Sequence, residues 1–478
     1  MFVSIYFPVF LIVSLILYFA VPGKLRPALL FLLSCIFCAQ FGVRTLIILA
    51  VVSIFTYFAA LVIEKANLHS KKGRSKLFAA AAIAACVLLL ACYKYLPYLL
   101  RLSGWADAIP ENFLNSLIIP VGLSFYLFQV IGYLADVYHG KYCAERNFIY
   151  LFLYLSYFPK FVSGPIEREQ SFFKQLQELE HLKVWDRGRL STAFTYMLYG
   201  YFMKLVIADR LAILVSKIFE APESFDSLLL LTGALFYTIQ IYCDFAGYSF
   251  IAIGCSKLFG ISLMQNFVTP YFAENITDFW RRWHVSLSSW LRDYIYIPLG
   301  GNRKGLFRKC LNTMIVFLLC GMWHGAGFSF IAWGFLHGFY SVMDTLLKKR
   351  NIKLPFSRLI TFLAVSFAWI FFRATGLKSA LKYIAAMFTT GIRFKEMPAM
   401  LELLQLDGIE IAVIAVSIIL VFLMDLCGYR KNLLFPELVQ EKKNSVRYVI
   451  FYFLIILLFI FGIYGPGYHT EQFIYMQF

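Results

Sequence analysis

Two histidines stand out in a chain that is otherwise strongly apolar. His324 lies in Met322-Trp323-His324-Gly325, inside a long apolar run. His284 closes Phe279-Trp280-Arg281-Arg282-Trp283-His284, a segment that runs on to Arg292-Asp293-Tyr294. An ionisable side chain at membrane depth is costly and is usually retained for a function. The pairing suggests chemistry performed inside a membrane and supplied from a polar face.

His324 reads as a general base or acid. A neutral imidazole takes a proton from a hydroxyl near pH 7, and burial keeps the ring neutral. The plain alternative is a histidine hydrogen-bonded within a helical bundle. Neither H-E-x-x-H nor a cysteine–histidine cluster surrounds it, so no metal site is expected. His284 reads as a second catalytic group or as lining for the path of an anionic donor; the alternative is an interfacial anchor. Arg281, Arg282, Arg303 and Lys304 suit a phosphate or an acidic carrier protein, or simply obey the positive-inside rule. Trp323, Asp293 and Asp244 are supporting groups. A carboxylate such as Asp244 orients a histidine or pairs with an arginine, and the sequence leaves that choice open.

Such residues need elements to hold them, and the composition says which. Of the 478 residues 61% are apolar and only 15% charged, against about half and a quarter in soluble domains. This predicts an all-α polytopic membrane protein. The net charge of +17 would suggest nucleic acid in a soluble protein, but no binding motif accompanies it. It fits basic cytoplasmic loops instead. The ten cysteines are scattered. Cys35 and Cys38 lie in an apolar helix and read as core residues, not as a redox or metal pair.

Apolar spans are read near 2–21, 27–44, 45–63, 77–100, 116–138, 147–163, 191–216, 226–253, 311–343, 359–373, 409–427 and 446–465, with short ones such as 359–373 read as tilted, partial or re-entrant. The first run lacks the basic start and small-residue cleavage site of a signal peptide. The basic loops 64–76, 348–358 and 430–447 are expected in the cytoplasm, and both termini outside. Two regions depart from simple spans. Residues 274–310 are too charged to cross yet rich in tryptophan, so they should lie in the interface or re-enter the interior. The run 311–343 is too long for one span, and Gly321, Gly325 and Gly327 around His324 predict a break there.

These residues resemble a known family, the membrane-bound O-acyltransferases. The resemblance rests on Pro120–Tyr126, Ser163-Gly164-Pro165-Ile166-Glu167-Arg168, Tyr242–Tyr248, Phe279–Gly301 and Trp323-His324-Gly325. The run Trp280–Tyr294 (WRRWHVSLSSWLRDY) is highly specific. The chain is most similar to the branch of the alginate O-acetyltransferase membrane subunit, with the teichoic acid D-alanyl transfer protein as a near relative. The resemblance implies about eleven transmembrane helices, plus interfacial and re-entrant helices, around a central funnel with a thin floor. Length and composition point to a single embedded domain over 1–478, and the matching motifs place its core at 120–330. His324 takes the family's catalytic position and His284 that of its second histidine.

The resemblance also implies an activity. An acyl group, here expected to be acetyl, passes from a cytoplasmic thioester to an acceptor handled outside. The donor is acetyl-CoA or an acyl carrier protein, with no bound cofactor. An extracellular SGNH or esterase-like acyltransferase is the implied partner, in the bacterial plasma membrane among lipids. The C-terminal aromatic tail, 466–478, resembles a motif of the alginate branch, with Met476 where an aromatic is expected. Tyr475 is then an acyl relay; the alternative is an aromatic anchor. Competing functions are D-alanyl transfer to teichoic acid and, from another class, a transporter or flippase.

Overall fold

The computed structural model describes residues 2–4, 6–69, 72–105 and 109–464. Among them, six helices are long and apolar enough to cross a membrane: Val43–Leu68, Lys72–Leu102, Ser227–Leu258, Gly305–His324, Gly408–Lys431 and Asn444–Phe461. Shorter apolar helices, Tyr6–Ala20 and Leu123–Tyr138, join them. The architecture is all-α, as the composition predicts. The chain divides into two compact units.

One unit comprises Tyr6–Ala193 and Cys255–Met264. Two of the sequence motifs meet in it. Gly122 adopts φ +78°, and a Cβ there would stand 2.6 Å from the carbonyl oxygen of Phe161. Gly164 packs as closely, since its Cβ would lie 2.4 Å from Cα of Lys160. Both motif glycines are therefore needed for close backbone approach around one turn. The Lys160 ammonium, buried inside that turn, donates to Gln129 Oε1 at 3.1 Å and to the Tyr154 carbonyl at 2.5 Å. These bonds replace the lost water and make its burial tolerable.

The other unit comprises Met1–Ile5, Phe194–Gly254 and Gln265–Phe478, and it holds both histidines. The apolar run 311–343 is split as expected. Helix Gly305–His324 stops at His324, Gly325 is extended, and helix Phe328–Lys349 follows. The two helices pack backbone to backbone. A Cβ on Gly321 would lie 2.3 Å from the Phe330 carbonyl oxygen, and one on Gly334 2.4 Å from that of Phe317. Gly334 and Gly338 form a G-x-x-x-G pair, the small-residue face that lets membrane helices approach closely.

Candidate active site

The hairpin carries His324 as the last residue of its first helix, 2% exposed. Its imidazole is walled by aromatic rings. Trp323 is 4.7 Å away between centroids, Trp333 5.0 Å and Phe372 5.1 Å, each close to edge-on. Trp369 stacks on Trp333 at 5.6 Å and closes the cluster. Such a wall surrounds the imidazole largely with apolar ring surface.

His284 reaches the same cluster from residues 274–310, which re-enter the interior. Helix Ile276–Arg282 buries Phe279 and Trp280, and helix Val285–Leu291 buries Leu287, Trp290 and Leu291. His284 sits between them at φ +45°, ψ +53°. A non-glycine residue pays roughly 1–3 kcal/mol for a sparsely populated conformation, which persists only where its surroundings hold it. Here they do. Phe267 and Trp283 form an antiparallel bridge. The Val268 amide donates to the Arg282 carbonyl at 2.9 Å, and the Val285 amide to that of Asn266 at 3.0 Å. Asn266 Oδ1 accepts from the Ser286 amide at 3.1 Å. The His284 ring meets Phe245 at 4.7 Å and Trp323 at 6.3 Å. Burial pushes its pKa down to about 3, so the ring is neutral at physiological pH.

The four cations fall in different places. Arg282 pairs with Asp278 at 3.0 Å and lies over the Tyr429 ring. Arg281, Arg303 and Lys304 are exposed, and form no ion pair among the described residues. Lys304 and Arg303 precede helix Gly305–His324. At 1.5 Å per residue that helix is roughly 30 Å long, so they stand at the far end from His324. Asp293 pairs with Arg292 at 2.8 Å. Tyr475 lies outside the described residues. A cavity of about 550 Å³ lined by Asn275, Asp344, Lys348 and Lys353, among others, takes in neither histidine.

Asp244 settles the choice the sequence left open, in favour of neither partner considered. Its carboxylate binds the Lys204 ammonium at 2.5 Å, and Asp209 binds the same ammonium at 2.7 Å. All three side chains are buried. Lys204 lies in a π-helical stretch, Phe202–Ala208, a distortion common near functional sites. The sequence reading also passed over Asp425, which accepts from Tyr242 at 2.8 Å and Tyr199 at 3.3 Å. Tyr242 belongs to a recognised motif, but nothing local to Asp425 marks it. His337, bonded to Trp280, was missed as well; a second buried histidine in a small-residue helix was the available signal.

Residues 144–381 match the MBOAT, membrane-bound O-acyltransferase family. The chain is 34% identical over 441 residues to a probable alginate O-acetylase of Pseudomonas putida, covering 90% of this chain and 88% of that one. The chain belongs to the membrane-bound O-acyltransferase family. As a member it is a multi-pass membrane acyltransferase, which removes the transporter reading. A peptidoglycan O-acetyltransferase of Helicobacter pylori is 33% identical, over 81% of this chain and 78% of its own. A teichoic acid D-alanyltransferase of Bacillus subtilis is 28% identical, over 65% and 80%. Both the acetylases and the D-alanyltransferase are thus relatives of this O-acyltransferase, with higher identity on the acetylase side.

Proposed function

We propose that the protein passes an acetyl group from a cytoplasmic thioester across the plasma membrane for O-acylation of an extracellular polysaccharide. The carrying observation is the placement of His324 at the apex of its hairpin, in one aromatic cluster with His284. In this reading His324 takes the proton of an acceptor hydroxyl as the oxygen attacks the thioester carbonyl. The C–S bond breaks, the acetyl group is held as an ester, and the proton goes to the leaving thiolate. Transfer from the thioester to the alkyl hydroxyl of the final acceptor is downhill overall, so positioning and a base suffice. Arg281, Arg303 and Lys304, exposed and without ion-pair partners among the described residues, suit the phosphates of acetyl-CoA or the acidic face of an acyl carrier protein. Both termini are read as outside, and the whole chain as one acyltransferase domain.

The tail completes the proposal. Tyr475 offers its hydroxyl as the first acceptor and hands the acetyl group to a serine-type enzyme outside. The identity to acetylases supports acetyl over D-alanyl transfer. The test is the alkali-labile ester of the exported glycans in cells carrying or lacking this protein. Acetate released from polysaccharide, and lost in Tyr475→Phe at equal protein level, is expected. Release of D-alanine instead, or acetate only from muramidase-digested wall, would replace the polymer named here. A fully active Tyr475→Phe would remove the relay.

A further inference from the structure

His337 is an imidazole with no place in the mechanism above, although it is fully buried on helix Phe328–Lys349. The Trp280 indole donates to its Nδ1 at 3.2 Å. An indole nitrogen only donates, so Nδ1 is the unprotonated nitrogen and the proton of the neutral ring is on Nε2. That Nε2 has no hydrogen-bond partner among the described residues. A phenyl or isobutyl group would fill the same apolar space without a buried, unmatched N–H, so packing alone does not account for an imidazole here.

What the ring does touch is informative. Trp280 is 5.2 Å from it and belongs to the segment that ends in His284. Trp333, one helical turn before it, is 4.8 Å from it and 5.0 Å from His324. Phe279 is stacked on it at 6.2 Å. One imidazole therefore reaches both the support of His284 and the wall of His324.

We infer that His337 is a positioning residue for acyl transfer: its Nδ1 anchors the Trp280 indole and so registers the His284 segment against the hairpin that carries His324. The inference rests on the proposed role of His324. The hydrogen-bonded part of this coupling is one donor–acceptor pair, so removing either member removes it.

The test measures initial incorporation of labelled acetate into alkali-labile glycan ester in intact cells, per unit of membrane-inserted protein. His337→Phe keeps a ring and loses the acceptor; Trp280→Phe loses the donor. Each is expected to lower the rate at least tenfold, and the double variant no further, because both remove one interaction. His337→Asn places an amide oxygen near the position of Nδ1 and is expected to recover the rate to within about threefold of wild type. A His337→Phe protein at normal level and normal rate overturns the inference, as do single losses that multiply in the double variant. Failure of the underlying reading is distinct: His324→Ala would then keep its rate, whatever His337 does.

Discussion

His284 and His324 share a neighbour: the Trp323 ring lies 6.3 Å from the first imidazole and 4.7 Å from the second. Two segments that are separate in sequence are held in one aromatic cluster by this ring, so a change there acts on both. Trp323→Ala is expected to cost about 3–5 kcal/mol of stability, as large aromatic truncations do, and to depress transfer. Trp323→Phe keeps a ring and should recover most of both. Thermal melting in detergent and labelled-acetate incorporation report the two effects. Wild-type melting and rate in Trp323→Ala would show that the ring couples nothing.

The environment of His284 predicts a pH dependence. Burial puts its folded pKa near 3, below the ordinary value of about 6.5. Between these values the unfolded chain binds more protons than the folded one. The stability contributed by neutral His284 is therefore complete above about pH 6.5 and is lost as pH falls toward 3. Asn tolerates the same left-handed backbone and does not titrate. His284→Asn should thus weaken the acid dependence of melting in that window. Identical slopes for the two proteins would contradict the burial argument.

The hairpin predicts where small residues are required. Gly321→Ala and Gly334→Ala force a Cβ to about 2.3–2.4 Å from carbonyl oxygens and should destabilise by about 1–3 kcal/mol through overpacking. A Cβ at Gly408 meets nothing within 4 Å, so Gly408→Ala serves as the control and should melt as wild type does. Equal melting of all three variants would mean that the two helices are not in backbone contact.

Lys204 holds two buried carboxylates, Asp209 and Asp244. Lys204→Met leaves both without their counter-charge, and losing one partner of a buried pair typically costs about 3–5 kcal/mol. Expression and detergent stability of Lys204→Met should fall sharply. A stable Lys204→Met protein would show that the ion cluster contributes little to the fold.

The helical class, the break beside His324 and the re-entry of 274–310 were legible because each leaves a local signal. Apolar runs, clustered glycines and tryptophans mixed with charge are readable without knowing what packs where. The Lys204–Asp244 pair was not legible, since a lysine in a hydrophobic run reads as an accident until its partner is seen. Asp425 and its tyrosines lie on three different helices, and only folding brings them together. The left-handed backbone of His284 is likewise imposed by pairing with Asn266–Val268, a contact the sequence does not announce.

The catalytic role proposed for His324 is tested most directly by His324→Ala. Initial incorporation of labelled acetate into alkali-labile glycan ester is measured at matched levels of membrane-inserted protein. Losing a general base is expected to lower the rate roughly 10²–10⁴-fold with insertion intact. A well-inserted His324→Ala protein that acetylates at the wild-type rate would contradict the assignment.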